Sequence, residues 1–117
     1  MTKILILLLM TNLFSQQQYW DIREEIISRH ENGNKKLLVK YSGQGSNEVI
    51  VERTTYTDDD KILLIENLLK QSKVEYIYYE NGNIQEKLSY VDEKLDGESI
   101  SYYENGNIER KGFYIDN

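Results

Sequence analysis

The sequence predicts an all-β protein: one antiparallel layer, a meander of repeated β-hairpins in about four units, the second of them degenerate. Three observations carry that prediction. The heptad Tyr78-Tyr79-Glu80-Asn81-Gly82-Asn83-Ile84 returns identically 24 residues later as Tyr102-Tyr103-Glu104-Asn105-Gly106-Asn107-Ile108. Each copy sets an Asn-Gly pair between aromatic and apolar residues, the strongest short-range hairpin cue, because glycine (and tolerably asparagine) accepts positive φ. The segments on either side are rich in aromatic and β-branched residues, which suit a pleated surface. Self-similarity at such a period marks stacked supersecondary units that bury a core only collectively.

The first fifteen residues belong to a different physical class. Lys3 is followed by the apolar run Ile4 to Met10, then Thr11, Asn12, Leu13, Phe14 and Ser15. A basic start, a short apolar run and a small residue before a polar stretch outline a secretory signal. The run is too short to span a bilayer, which needs about 20 residues. The reading is a cleaved signal peptide over 1–15 and a repeat domain over 16–117, in an exported protein that is periplasmic, envelope-associated or secreted.

The repeat frame orders the rest. A partial copy lies at Glu31-Asn32-Gly33-Asn34, ahead of Leu38 and Tyr41. A degenerate one begins at Tyr56 and runs through Thr57-Asp58-Asp59-Asp60 into an apolar segment. Anchors at Glu31, Thr57, Glu80 and Glu104 are then 26, 23 and 24 residues apart. Past the heptad, Lys87, Tyr90 and Asp92 return as Lys111, Tyr114 and Asp116. Strands are expected over 74–79, 84–90, 98–103 and 108–115, with the second turn of the unit over 92–97. The segment 61–70 follows three aspartates and reads locally as a capped helix, with Ile62, Ile65 and Leu69 on one stripe. The repeat frame places a strand there, and neighbouring sheet edges override local propensity.

Register follows from pattern. A three-residue turn Glu80-Asn81-Gly82, with Gly82 as a bulge, sets Tyr78 opposite Ile84. It gathers Val74, Tyr76, Tyr78, Ile84, Leu88 and Tyr90 on one face, with Ile100, Tyr102, Ile108 and Tyr114 continuing it. A two-residue turn would exchange the faces. In this register Tyr79 and Tyr103 stand on the opposite, polar face and are the better binding candidates, since tyrosine offers a large contact area with one polar tip.

Composition removes several function classes. The 117 residues include no cysteine, so disulfides, thiolate metal sites and cysteine nucleophiles are excluded. A single histidine, His30, rules out a multi-histidine metal site within one chain. Twenty acidic against 14 basic side chains leave a net charge of −6, which argues against nucleic acid and against anionic membrane surfaces. Asp58-Asp59-Asp60 offers carboxylates to a hard cation, but an acidic turn is more often simply solvated. Asp92-x-Lys94-x-Asp96-Gly97 fails as a calcium loop, because Lys94 occupies a ligand position and Tyr103 falls where a bidentate Glu is needed. His30 could act as a general base, yet its alignment with Tyr79 marks it as a strand-end residue. A one-layer repeat sheet also offers no deep cleft for paired carboxylates. No catalysis, metal or cofactor is expected.

The segment 76–117 resembles the variant form of the MORN repeat (membrane occupation and recognition nexus). The matching pattern is Tyr79-Glu80-Asn81-Gly82, Tyr90, then Lys94-Leu95-Asp96-Gly97, restarting at Tyr103. The resemblance is partial over 20–41 and poor over 42–73. The family's turn glycine is Glu93 in one copy, and Gln71-Ser72-Lys73 replaces a whole glycine-bearing turn. The resemblance implies a single-layer run of hairpins used as an interaction surface. Small bacterial proteins with this repeat are often grouped as YwqK-type antitoxins, although an antitoxin acting in the cytosol would not normally be exported. The expected partner is another protein, docked on the polar face or along the C-terminal strand at Ile115. An unpaired edge there would accept a partner's strand or pair with a second copy in a homodimer.

Overall fold

The computed structural model describes residues 21–115. The expected signal segment, its cleavage site, Asp116 and Asn117 lie outside them. The described residues form β1 (Ile22–Arg29), β2 (Lys35–Ser42), β3 (Val49–Tyr56), β4 (Ile62–Asn67), β5 (Ser72–Tyr78), β6 (Ile84–Val91), β7 (Lys94–Tyr102) and β8 (Ile108–Tyr114). Strand follows strand in chain order across one open antiparallel sheet, with β1 and β8 at its edges. A 3-10 turn, Gly45–Asn47, interrupts the β2–β3 connection.

Four hairpins share one turn geometry. In the third, Tyr79 N donates to Asn83 O at 2.8 Å and Gly82 N donates to Tyr79 O at 2.9 Å. Gly82 sits at φ +91°, so this is the bulged three-residue turn expected from the pattern. The pair of bonds recurs at His30/Asn34 with Gly33, at Thr57/Lys61 with Asp60, and at Tyr103/Asn107 with Gly106. The degenerate second unit is therefore a true copy, with Asp60 held at φ 69° where the others have glycine. Thr57 aligns with Tyr79 rather than Glu80, so the expected anchor was one residue early and Asp58 is the counterpart of Glu80.

Residues 62–67 are a strand, as the repeat frame requires. Ile65 stands between Thr54 of β3 and Val74 of β5, so both sides of β4 have an edge to pair with. The three aspartates do not cap a helix. They form the hairpin turn, and Thr57 Oγ1 accepts the Lys61 N–H at 2.9 Å.

The expected core face is corrected. Tyr78 does lie opposite Ile84, but the next pair is Ile77 with Glu86, leaving Gln85 as an extra residue on β6. Beyond this bulge Leu88 lies opposite Glu75 and Tyr90 opposite Lys73, on the other face from Tyr76 and Val74. A bulge reverses the alternation of all that follows it. Lys36, Leu63 and Glu109 are the equivalent extra residues in the other three hairpins. Apolar side chains are consequently divided between both faces. Among the described residues only Val39 and Ile100 are buried hydrophobic side chains, and Ser42 and Thr54 are the buried polar ones. Ile108 and Tyr114, placed in the core by the pattern, are exposed.

The second turn is also shorter than the expected 92–97. It consists of Asp92 and Glu93, at φ 50° and 67°, between the paired residues Val91 and Lys94. Gly97 lies inside β7 at φ +104°. There β7 spans three residues between Leu95 and Ser99 while β6 spans only Ser89.

Candidate interaction surface

Successive hairpins are tied turn to turn by side chains. Tyr79 Oη donates to Tyr102 O at 2.6 Å. Asn81 Nδ2 and Asn83 Nδ2 both donate to Glu104 O, at 3.0 and 2.7 Å. The first hairpin repeats the device: His30 Nε2 donates to Tyr56 O at 2.9 Å, and Asn32 and Asn34 both donate to Asp58 O. Since a carbonyl only accepts, the His30 Nε2 must carry its proton. That places His30 in a structural role equivalent to Tyr79. Burial and the nearby Glu109, Glu104 and Glu86 hold the Tyr79 phenol above its ordinary value, so it remains a donor at neutral pH.

The second hairpin departs from this scheme. Asp59 pairs with Lys61 at 2.6 Å, and the Lys61 ammonium holds the Asp59 carboxyl below its ordinary value. The same ammonium lies over the Tyr78 ring and close against Gly82. Asp60 pairs with Lys35 at 2.6 Å. Two of the three aspartates, Asp59 and Asp60, are thus held in ion pairs, and among the described residues no cluster of three or more His, Cys, Asp or Glu is arranged to hold a metal.

The two tyrosine candidates separate. Tyr79 is half-buried and its hydroxyl is used between units. Tyr103, its equivalent one unit later, is 51% exposed and its hydroxyl has no partner among the described residues. The whole of β8 is exposed, with Ile108 and Phe113 prominent, and Ile115 just beyond it is 83% exposed. On one face of the last two strands the side-chain-free Gly112 leaves a shallow groove of about 310 Å³, lined by Leu88, Ser99, Ser101, Arg110 and Tyr114. Ser101 Oγ is buried there without a hydrogen-bond partner. A second groove, about 530 Å³ and mostly apolar, lies near the opposite edge between Ile22, Val49, Val51 and Leu69.

A family model described as the MORN repeat variant matches residues 72–92 and 95–116. Over these two segments the chain is similar to the MORN repeat variant. Each matched segment is one hairpin, β5–β6 and β7–β8 in turn. The two earlier hairpins share their turn geometry and bulge position with these MORN units. No curated protein and no solved structure matches the chain.

In the sequence Asn81, Asn83, Asn105 and Asn107 are legible only as repeat-motif residues. The pattern does not announce that Asn81 and Asn83 clamp the turn of the next unit. The signal was available: asparagines on both sides of the turn glycine, at Asn32/Asn34 as well, exceed what positive φ requires.

Proposed function

We propose that the chain is an exported, non-catalytic repeat scaffold that binds another protein through its last described unit. The observation that carries this reading is the exposure of every residue of β8, with Phe113 near its end, Ile115 just beyond it and Tyr103 exposed at the turn that precedes it. MORN repeats are generally interaction modules, which supports a scaffold. An edge strand presents unpaired backbone groups that a partner's strand can complete, while exposed side chains supply selectivity.

A photo-crosslinking residue placed at 103 or 115, in cells, tests it. A defined protein adduct at both positions, absent when the label is at position 79, is expected. Absence of any adduct overturns the reading. N-terminal sequencing of the recovered protein tests export: a mature end near Gln16 outside the cytoplasm is expected, and an intact Met1 in the cytoplasm overturns it.

The net charge of −6 favours one second reading, an antitoxin or immunity-like protein whose acidic surface neutralises a basic toxin. Steep weakening of the complex with added salt would mark that mode.

A further inference from the structure

We propose that copies of this chain join head to tail, the last hairpin of one docking on the first hairpin of the next. The inference rests on reading β8 as a docking edge, and it names the occupant as a second copy.

The argument begins with the ties between units. At two of the three junctions inside the sheet, a turn's side-chain donors reach two carbonyls on the next turn, two residues apart: Tyr56 and Asp58 for the first hairpin, Tyr102 and Glu104 for the third. The last turn is built in the same way. Tyr103 N donates to Asn107 O at 2.8 Å and Gly106 N to Tyr103 O at 2.9 Å. Asn105 Oδ1 accepts the Asn107 N–H at 2.9 Å, just as Asn81 Oδ1 accepts that of Asn83 at 2.8 Å. Its donors, the Tyr103 hydroxyl and the Asn105 and Asn107 amides, are therefore preorganised. None has a partner among the described residues.

The matching acceptors lie at the other edge. The first turn has the shared geometry, and its Arg29 and Glu31 carbonyls occupy the positions held by Tyr102 and Glu104 in the last. Neither receives a side-chain donor among the described residues. One end thus offers three unused donors, and the other offers two unused acceptors at the required spacing.

The strands agree with this. Units meet at β2–β3, β4–β5 and β6–β7, all antiparallel, and β8 against β1 of the next copy would continue that alternation. Leu37 opposite Thr55 and Glu86 opposite Ser101 occupy equivalent places, which puts Arg110 opposite Ser28 of the next copy. Both edges carry exposed apolar residues for such a junction: Ile22, Ile26 and Ile27 on β1, Ile108 and Phe113 on β8. A two-fold pairing of β8 with β8 would carry the second copy's turn to the far end of the strand. The Tyr103, Asn105 and Asn107 donors would then remain unused. A head-to-tail contact is heterologous and yields open chains or closed rings.

Sedimentation of the purified full chain, with its N-terminus established by intact mass, tests this. A head-blocked variant carries Ile26→Lys and Ile27→Lys; a tail-blocked variant carries Phe113→Lys and Asn107→Ala. The wild type should form species at multiples of 13.9 kDa that grow with concentration. Each variant alone should be monomeric, and their mixture should stop at a dimer. Should a lysine variant lose its circular dichroism, Tyr103→Phe with Asn107→Ala serves as the tail block and should weaken association about tenfold or more. A monomeric wild type overturns the proposal, as does a head-blocked variant that still dimerises by itself. A monomer that nevertheless gives the position-103 adduct with a different protein removes self-assembly and leaves the docking reading standing.

Discussion

The Tyr79 hydroxyl donates to the main-chain carbonyl of Tyr102 at 2.6 Å, and these are neighbouring positions of the same repeated heptad, one unit apart. A residue of one repeat therefore reads the backbone of the next. Such a tie needs no particular side chain on the acceptor and can recur wherever the backbone turn recurs. His30 makes the same contact with Tyr56, although its chemistry is different.

The ties predict unequal effects from chemically identical substitutions. Asn83→Ala removes the amide that donates to Glu104 O and should destabilise by about 0.5–1 kcal/mol, the net value of a typical hydrogen bond. Asn107→Ala, at the same position one unit later, removes an amide with no partner among the described residues. It should be neutral for the monomer, within about 0.3 kcal/mol. Urea denaturation at a concentration low enough to keep the chain monomeric measures both. Equal losses would show that the ties contribute nothing.

Glu93→Gly should stabilise the protein. Glu93 is held at φ 67°, a left-handed conformation costing a residue with a Cβ roughly 1–2 kcal/mol. The substitution gives up an ion pair with Lys73 at 2.7 Å, but Glu93 is largely exposed and surface pairs contribute about 0–1 kcal/mol. A net gain of about 1 kcal/mol is expected as a higher denaturation midpoint, with glycine's greater unfolded-state freedom subtracting from it.

Gly97→Ala should do the opposite. Gly97 sits at φ +104°, and a Cβ there would stand 3.4 Å from Ser89 Cβ. A loss of about 1–2 kcal/mol is expected on the backbone conformation alone. Thermal unfolding should report it as a lower Tm with the circular dichroism unchanged at low temperature. An unchanged Tm would remove the bulge in β7 as the reason for this glycine.

Acid should weaken the junction between β1 and the start of β3. Arg23 Nε donates to Glu48 Oε1 at 3.0 Å and its terminal nitrogen to Oε2 at 2.8 Å. Hydrogen bonding to this guanidinium holds the Glu48 carboxyl below its ordinary value of 4.5. A depressed native value means stability that is complete above pH 4.5 and lost as pH falls through the native value. Glu48→Gln should flatten the decline of the urea midpoint across that acid range while lowering the midpoint at neutral pH. A decline unchanged in the variant would assign it to other carboxylates.

Much of the fold was legible because its determinants are local. Asn81-Gly82 and Asn105-Gly106 encode their turns through the φ values those residues tolerate, and Tyr78 opposite Ile84 follows from the turn alone. Periodicity carried the second unit as well, where Asp58-Asp59-Asp60 and the apolar run after Lys61 suggested a helix. The frame was right because Ile65 finds partners on two sides. The bulges at Lys36, Leu63, Gln85 and Glu109 were not legible. Each is one extra residue between strands, and no residue type demands it.

By itself, then, the sequence determined the repeat, the turn type and the antiparallel order, since these depend on contacts a few residues apart. It also determined an acidic chain without cysteine. Tertiary structure decided which face each side chain takes, because a bulge reverses the alternation for everything beyond it. It decided, too, the different fates of two identical tyrosines. Tyr79 has a following hairpin whose carbonyl lies within reach, whereas Tyr103 is placed where the described sheet ends. A hydrogen bond between units depends on what stands beside a residue in space, and identical heptads carry no record of that.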